Sequence, residues 1–488
     1  MARGITDFGA YVPYLRLQRA AVVAAHAWFH PGLKAHAKGE RAVANWDEDS
    51  VTMAVEAARD CLAGRDRGRV GQVVLASTSL PFADRQNSVL VKEALNLPTT
   101  VGALDVAASQ RAGTSALKMA CDAARGTTLC IGAEKRRAKP GSEAELVNGD
   151  GAAAFVVGDG DVIAEYLGGY STSVDVVDHY RAADRDHDYT WESRWIRETV
   201  YGDLLPAAIA EALGELRIAA DEVDHLVVAA PFRNAAAGIA KKTGIRAEAL
   251  ADDLAAEMGI SGAAHPLVML ADVLERARPG ACIVVAGFGQ GCDVLAFRVT
   301  GAIAGRRPRL GLRGWLARRK TLDNYTRFLA LTGEIRLERG IRAEADQQTA
   351  LSVLYRNRKP VLGLVGGRCT VTGTVQFPKT PISVAQNRHS VDTQEDYPLA
   401  DRAARIMTYT ADRLAYTPDP PLCFGTVLFE GGGRITVDFA DTEPEALEVG
   451  LPMRMMFRIR AVDENRGFTR YFWKAVPGDA TAKSQEAD

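Results

Sequence analysis

Leu104-Asp105-Val106-Ala107-Ala108-Ser109-Gln110-Arg111-Ala112-Gly113-Thr114-Ser115-Ala116-Leu117 is the stretch around which this chain is organised. It reads as the end of a strand, a tight elbow of small residues and the first turns of a helix. The helix follows from Ala116, Leu117, Met119, Ala120 and Ala123, which are apolar at helical spacing. Small side chains at Ala107, Ala108 and Ser109 let the backbone turn sharply and deliver Gln110 to the helix N-terminus. Unpaired N–H groups and the helix dipole favour a thiolate or an oxyanion there. An acyl-transfer enzyme places its cysteine at such a position, and this chain has glutamine. Taken alone, the stretch equally describes an ordinary strand-to-helix turn.

Working outward, the segments around the elbow alternate between strand and helix. Gly4 to Val12 reads as a first strand. Trp46-Asp47-Glu48-Asp49-Ser50 opens a helix over Val51 to Leu62, with acids in the first turn as the dipole prefers. Val73 to Ser77 is a short apolar strand of the buried, parallel kind, and Ser88 to Leu95 is a helix. Thr127 to Gly132 and Ala152 to Val157 are further strands, separated by the charged loop Glu134 to Glu145 and a Gly-Asp-Gly turn at 149–151. The second half repeats this pattern. A helix at Leu204 to Leu213 precedes Val223 to Ala230, as the earlier helix precedes Val73 to Ser77. A helix at Pro266 to Ala277 is entered through Ser261-Gly262-Ala263-Ala264. Ala281 to Gly287 and Cys292 to Val299 then pair across Phe288-Gly289-Gln290-Gly291. Two copies of one α/β unit imply two stacked sheets with helices between and outside them. A ligand is expected where the copies meet.

Composition sets the outer bounds. The chain has 488 residues, a net charge of −2 and ordinary globular apolar and charged fractions, which implies more than one domain and large cores. Nothing in that balance points to nucleic acid or an acidic membrane surface. The apolar runs are too short to span a bilayer, and the N-terminal residues carry no signal-peptide pattern. The seven scattered cysteines fit reduced thiols. The expectation is a soluble, cytoplasmic α/β protein.

The run Lys38-Gly39-Glu40-Arg41-Ala42-Val43-Ala44-Asn45-Trp46-Asp47-Glu48-Asp49-Ser50-Val51-Thr52-Met53-Ala54 resembles the N-terminal signature of prokaryotic 3-hydroxy-3-methylglutaryl-CoA synthases. The duplication, the elbow and the glycine hairpin at 287–291 are similar to that family and to ketoacyl synthase III, within the thiolase superfamily. The resemblance runs from Gly4 to about 340. It implies a duplicated thiolase fold of five layers, αβαβα, over 1–340, with repeats at about 1–165 and 200–300. It also implies carbon–carbon bond chemistry beside thioesters, with coenzyme A or acyl-CoA as substrate, and homodimers through this domain.

The resemblance departs at the chemistry. A Claisen-type enzyme needs a nucleophile, a base and donors for the thioester oxyanion. In the family pattern the cysteine falls on Gln110, the histidine on Ala229 and the asparagine on Ile260. Ala76 to Phe82 contains no carboxylate where the family's acidic base would stand. Gln110 resembles the glutamine of decarboxylating ketosynthase domains, in which an amide donor replaces the thiol. His265 is the candidate acid or base; alternatively it is a helix-start residue packed near Pro266. The insert Asp178-His179-Tyr180-Arg181 to Trp195 stands where the family carries an active-site loop. Its Tyr189 is a third catalytic candidate; with Trp191 and Trp195 it shapes an aromatic pocket or covers a hydrophobic edge. Arg194, Arg197, Arg233, Lys241 and Lys242 meet CoA phosphates or form a solvated basic face. The residues implied for substrate or CoA are Ser109, Trp191, Arg194, Phe232, Arg233, Gly289 and Gly291.

Beyond Val299 the composition changes. The segment 341–400 reads as a linker with Gly366-Gly367-Arg368-Cys369-Thr370-Val371-Thr372-Gly373 to Phe377-Pro378-Lys379 resembling the zinc ribbon of OB-fold proteins that accompany thiolases. A structural zinc needs four soft ligands in two close pairs, and Thr372 stands in the place of the partner of Cys369, so no metal is expected. The strand patterns from Arg405 to Lys474 read as a small OB barrel over 401–477, followed by a disordered tail at 478–488. Two function classes follow: an enzyme of acyl-CoA thioesters or β-keto acids that works without the usual cysteine, or a non-catalytic scaffold for a separate thiolase subunit.

Overall fold

The computed structural model describes residues 2–306, 308–344, 346–385 and 389–478. They fall into two units, one of 1–45, 49–91 and 97–334 and the other of 46–48, 92–96 and the residues from 335 onward. The tail expected to be disordered lies, from 479, outside the described residues.

The strands of the first unit are β1 (Arg3–Tyr11), β2 (Leu15–Gln18), β3 (Glu40–Val43), β4 (Gln72–Ala76), β5 (Gly102–Val106), β6 (Thr128–Glu134), β7 (Gly151–Asp159), β8 (Ala164–Ser173), β9 (His179–Tyr180), β10 (Tyr189–Thr190), β11 (His225–Val228), β12 (Cys282–Phe288), β13 (Gly291–Val299) and β14 (Lys320–Leu322). The main ladder runs β11-β12-β13-β8-β1-β7-β6-β4-β5. Its two halves repeat one pairing pattern. In the first, β4 is parallel to β6, which is antiparallel to β7, which is antiparallel to β1. In the second, β11, β12, β13 and β8 follow the same sequence of parallel and antiparallel pairs. The outer strand β5 pairs in parallel with β4, and its counterpart in the second half is reduced to a parallel bridge between Leu226 and Leu250.

The duplicated α/β arrangement is therefore present, with one correction. The two sheets are not separate, because β1 and β8 pair at Gly4↔Glu165 and Ile5↔Ala164. Gly4 allows that approach, since a Cβ there would lie 2.1 Å from the Ala164 carbonyl oxygen. Strand β8 escaped the sequence pattern because Leu167-Gly168-Gly169-Tyr170-Ser171 is rich in glycine and small polar residues. The helices Ala112–Asp122 and His265–Arg276 touch strands of both halves and form the middle layer. Helix Ser50–Cys61 covers β1, β6 and β7 from outside, and Leu205–Leu216 covers β8, β12 and β13.

Helix Ser50–Cys61 starts one residue earlier than its pattern, with Asp49 as N-cap accepting from the Thr52 amide at 2.9 Å and Thr52 Oγ1 accepting from the Asp49 amide. Asp47 and Glu48 do not lie in its first turn. They belong to the second unit, where Asp47 accepts from Lys474 at 2.9 Å and Glu48 pairs with Arg458 at 2.5 Å. Although burial works against its charge, Lys474 and Arg458 hold the Asp47 carboxyl below the ordinary aspartate range.

The second unit continues with β15 (Val365–Cys369), β16 (Val375–Gln376), β17 (Gln394–Pro398), β18 (Ala404–Asp412), β19 (Leu422–Phe429), β20 (Arg434–Asp438), β21 (Pro452–Asp463) and β22 (Phe468–Pro477). A three-stranded sheet has the order β16-β15-β17, and a five-stranded one the order β20-β19-β18-β21-β22. Neighbours in the latter are antiparallel, and a parallel bridge joins Phe439, just past β20, to Ala475 of β22. Its interior holds Phe457, stacked on Tyr471 at 5.4 Å and meeting Trp473 edge-on at 5.4 Å.

Candidate functional site

The elbow is built by backbone strain and one close approach. After β5, Ala108 has a φ of +69°, an unfavourable conformation for a residue with a side chain, which turns the chain toward the helix start. Ser109 Oγ donates to the Gly289 carbonyl at 2.9 Å and accepts from the Arg111 amide at 3.3 Å. The β12–β13 hairpin thus presses on the elbow. Only glycine fits at 289, since a Cβ would come within 2.4 Å of Ser109 Oγ and 2.6 Å of the Arg111 nitrogen.

Gln110 is oriented from the other side. Its Nε2 donates to Thr78 Oγ1 at 3.2 Å, and Thr78 Oγ1 donates to Glu134 Oε2 at 2.6 Å. Because the threonine proton goes to the carboxylate, its oxygen accepts from the amide, which fixes the rotamer of Gln110. Glu134 is fully buried at the end of β6 and also accepts from the Ser77 hydroxyl, the Thr78 amide and the Ser79 hydroxyl at 2.7–2.8 Å. A carboxylate therefore does stand beside Ala76 to Phe82, supplied from the neighbouring strand rather than from that stretch. Gly262 closes the far side with φ +46°, and a Cβ there would lie 2.6 Å from Gln110 Oε1 and 2.8 Å from Glu134 Oε2. Two buried atoms at this spot, Gln110 Oε1 and Arg136 Nε, have no hydrogen-bond partner among the described residues.

In front of Gln110 lies a cavity of about 210 Å³ lined by Thr78, Ala108, Ser109, Gln110, Gly289, Gln290 and the insert residues Asp178, His179, Tyr180, Arg181 and Asp188. The insert is pinned over it by charge. Asp188 takes Arg181 at 2.9 Å and also Arg136, and Arg181 donates in turn to the Thr78 carbonyl. Although burial opposes its charge, these guanidiniums, Arg136 foremost, hold the Asp188 carboxyl below its ordinary range. His187 meets Glu334 at 2.9 Å and anchors the same loop a second time.

Of the residues singled out in the sequence, Ser109, Gln110 and Gly289 come together at this cavity, with Gly291 next to it in the hairpin. His265 does not join them. It is fully buried, its Nδ1 accepts from the Ser261 amide at 3.2 Å, and its Nε2 donates to the Asp253 carbonyl at 2.8 Å. Burial pushes its pKa down, so it is a neutral fastener of the loop before its helix. Tyr189 and Trp191 lie on the exposed β9–β10 hairpin, stacked with centroids 6.3 Å apart, and Trp195 is also exposed. Phe232 packs edge-on against Tyr201 at 5.4 Å, Arg233 is exposed, and Arg194 is exposed with Glu198 at 3.0 Å. Sequence reasoning missed Thr78, Glu134, Arg136, Asp178, His179 and Asp188. His179 alone carried a signal, as a histidine flanked by Asp178 inside the insert already marked.

Among the described residues, no group of three or more histidine, cysteine, aspartate or glutamate side chains is placed to hold a metal ion. Cys369 ends β15 with its sulfur 3.1 Å from Thr393 Oγ1, and the Thr372 and Thr393 hydroxyls pull its thiol down to about 6. No helix of the described residues is long and apolar enough to cross a membrane.

The duplicated sheet, the strained elbow and the hairpin pressed on it define the first unit as a thiolase-superfamily fold. No family model matches the chain. It is 30% identical over 309 residues to the hydroxymethylglutaryl-CoA synthase of Caldivirga maquilingensis, covering 61% of this chain and 88% of that protein. The corresponding enzyme of Aeropyrum pernix is 29% identical over 343 residues, with 68% and 94% covered. A solved HMG-CoA synthase complexed with CoA superposes with a TM-score of 0.60 at 18% identity, over 72% of this chain and 95% of that one. The chain belongs to the hydroxymethylglutaryl-CoA synthase family.

Proposed function

We propose that this chain is an enzyme of CoA thioesters or β-keto acids that makes or breaks carbon–carbon bonds, or transfers acyl groups, without a cysteine acyl-enzyme. The observation that carries the reading is Gln110. Its amide stands at the N-terminus of helix Ala112–Asp122, where the family's cysteine falls, and is oriented toward a cavity by Thr78 and Glu134. An amide is not a nucleophile at neutral pH, but one of its two N–H groups remains after the bond to Thr78. That donor, aided by the helix dipole, stabilises the negative charge that builds on a thioester or β-keto oxygen when the adjacent carbon bears an electron pair. The family relationship and the CoA carried by a structural neighbour support the substrate class.

The second unit fits an OB-type barrel, an assignment supported by the strand order and the parallel bridge from Phe439 to Ala475. Its part in this reading is to hold the far end of CoA or to bridge subunits. The outer strand β5, half-exposed, is the edge on which a second copy would add to make a homodimer.

Calorimetry with CoA and acetyl-CoA tests the proposal. Binding to the intact chain is expected, and Gln110→Ala should lower turnover of a β-keto acyl-CoA by about tenfold to a thousandfold, the range for losing one oxyanion donor. No heat and no thermal shift with either ligand would overturn it. Activity that appears only on adding a thiolase subunit would decide for a scaffold.

A further inference from the structure

His179 is the histidine among the residues lining the cavity in front of Gln110, and its two nitrogens are used unequally. Nδ1 lies 2.9 Å from Asp178 Oδ2, and Nε2 has no partner among the described residues. A carboxylate oxygen this close to Nδ1 favours the tautomer with the proton on that nitrogen, which leaves Nε2 as the basic lone pair. The ring is one of the walls of the cavity that Gln110 also lines. It is held there by the pairing of His179 with Thr190 across β9 and β10, and by the Arg136–Asp188–Arg181 clamp on the same insert. The cavity is thus lined both by a histidine with a carboxylate beside its Nδ1 and by an amide donor oriented by a threonine and a carboxylate. This is the pairing of a base with a charge stabiliser that proton abstraction beside a carbonyl requires.

We infer that His179, positioned by Asp178, is the proton-transfer residue of this cavity, acting on the carbon adjacent to the thioester. The inference rests on the proposed function and assigns the group that takes over the role of the family's acidic base. In the step, the bond from the α-carbon to hydrogen breaks and the proton passes to His179 Nε2. The electron pair moves into the enolate, whose oxygen faces the Gln110 amide. Return of a proton from the imidazolium to carbon completes the cycle with no other reactant. Asp178 acts through His179 and does not touch the substrate. The other charged or titratable groups around the ring are Asp188, Arg181, Arg136 and Tyr180, with Glu134 behind Thr78.

The full chain incubated with acetyl-CoA in deuterium oxide should exchange the methyl hydrogens of the acetyl group, followed by mass spectrometry or proton resonance, while calorimetry on the same preparation reads binding. His179→Asn should leave binding intact and slow exchange by about a hundredfold or more, the usual contribution of a positioned base. His179→Ala should recover exchange when free imidazole is added, which a merely structural histidine would not allow. Asp178→Asn should slow exchange while leaving the affinity for acetyl-CoA unchanged, since Asp178 acts only by holding the ring. Unchanged exchange in His179→Asn, or a wild-type chain that binds acetyl-CoA and exchanges nothing, overturns this inference and leaves the CoA site standing. A chain that binds no acetyl-CoA overturns the proposed function, and this inference with it.

Discussion

Two histidines of the first unit, one in the β9–β10 insert and one opening a middle-layer helix, are used differently, and the contrast between them separates structure from chemistry. His265 opens a middle-layer helix, is sealed from solvent and spends both nitrogens on backbone groups of Ser261 and Asp253. His179 lies on the insert, is half-buried, places one nitrogen beside Asp178 and lines the cavity. A histidine with both nitrogens satisfied by the main chain holds a loop in shape. One oriented by a carboxylate on a single side is set to exchange a proton.

The comparison breaks most readily at His265. His265→Ala strands a buried amide and a buried carbonyl and opens a cavity, so the chain should lose about 3 kcal/mol of stability. Denaturant unfolding should read this as a lower midpoint, with acetyl-CoA exchange per folded molecule unchanged. A variant of full stability that no longer exchanges would reverse the roles of the two histidines. A smaller effect follows from pH. Burial depresses the pKa of His265 in the folded chain, so the folded state binds fewer protons than the unfolded one below the unfolded value of about 6.5. Its contribution is fully present above that value and drains away as pH falls from there through the depressed folded value. Thermal melts between pH 7.5 and 5 should show the wild-type chain losing Tm more steeply than His265→Gln. Parallel slopes would mean the ring is not held neutral.

The same contrast explains what could be read in the sequence. Periodicity located most strands of the duplicated core and the elbow, because apolar runs bounded by small residues decide those elements locally. It passed over β8, whose Gly168 and Gly169 look like loop, and over the β2–β3–β14 sheet, whose strands are three or four residues long. Gln110 was legible because its position in a turn is a local property. Glu134 was not, since it reaches Thr78 only through the parallel pairing of β4 with β6, 56 residues away in sequence. His265 was singled out for its place at a helix start, and nothing local shows that Asp253, twelve residues earlier, takes its second nitrogen.

The central claim is that chemistry at this elbow runs without an acyl-enzyme. Intact-mass analysis of the wild-type chain, quenched during turnover of a β-keto acyl-CoA, tests it most directly. All seven cysteines among the described residues are buried, and burial raises the Cys292 thiol, on the hairpin strand nearest the elbow, to about 11. The account predicts product formation with the protein mass unchanged. A stoichiometric acyl adduct on any cysteine, lost on mutating that residue together with activity, would contradict it.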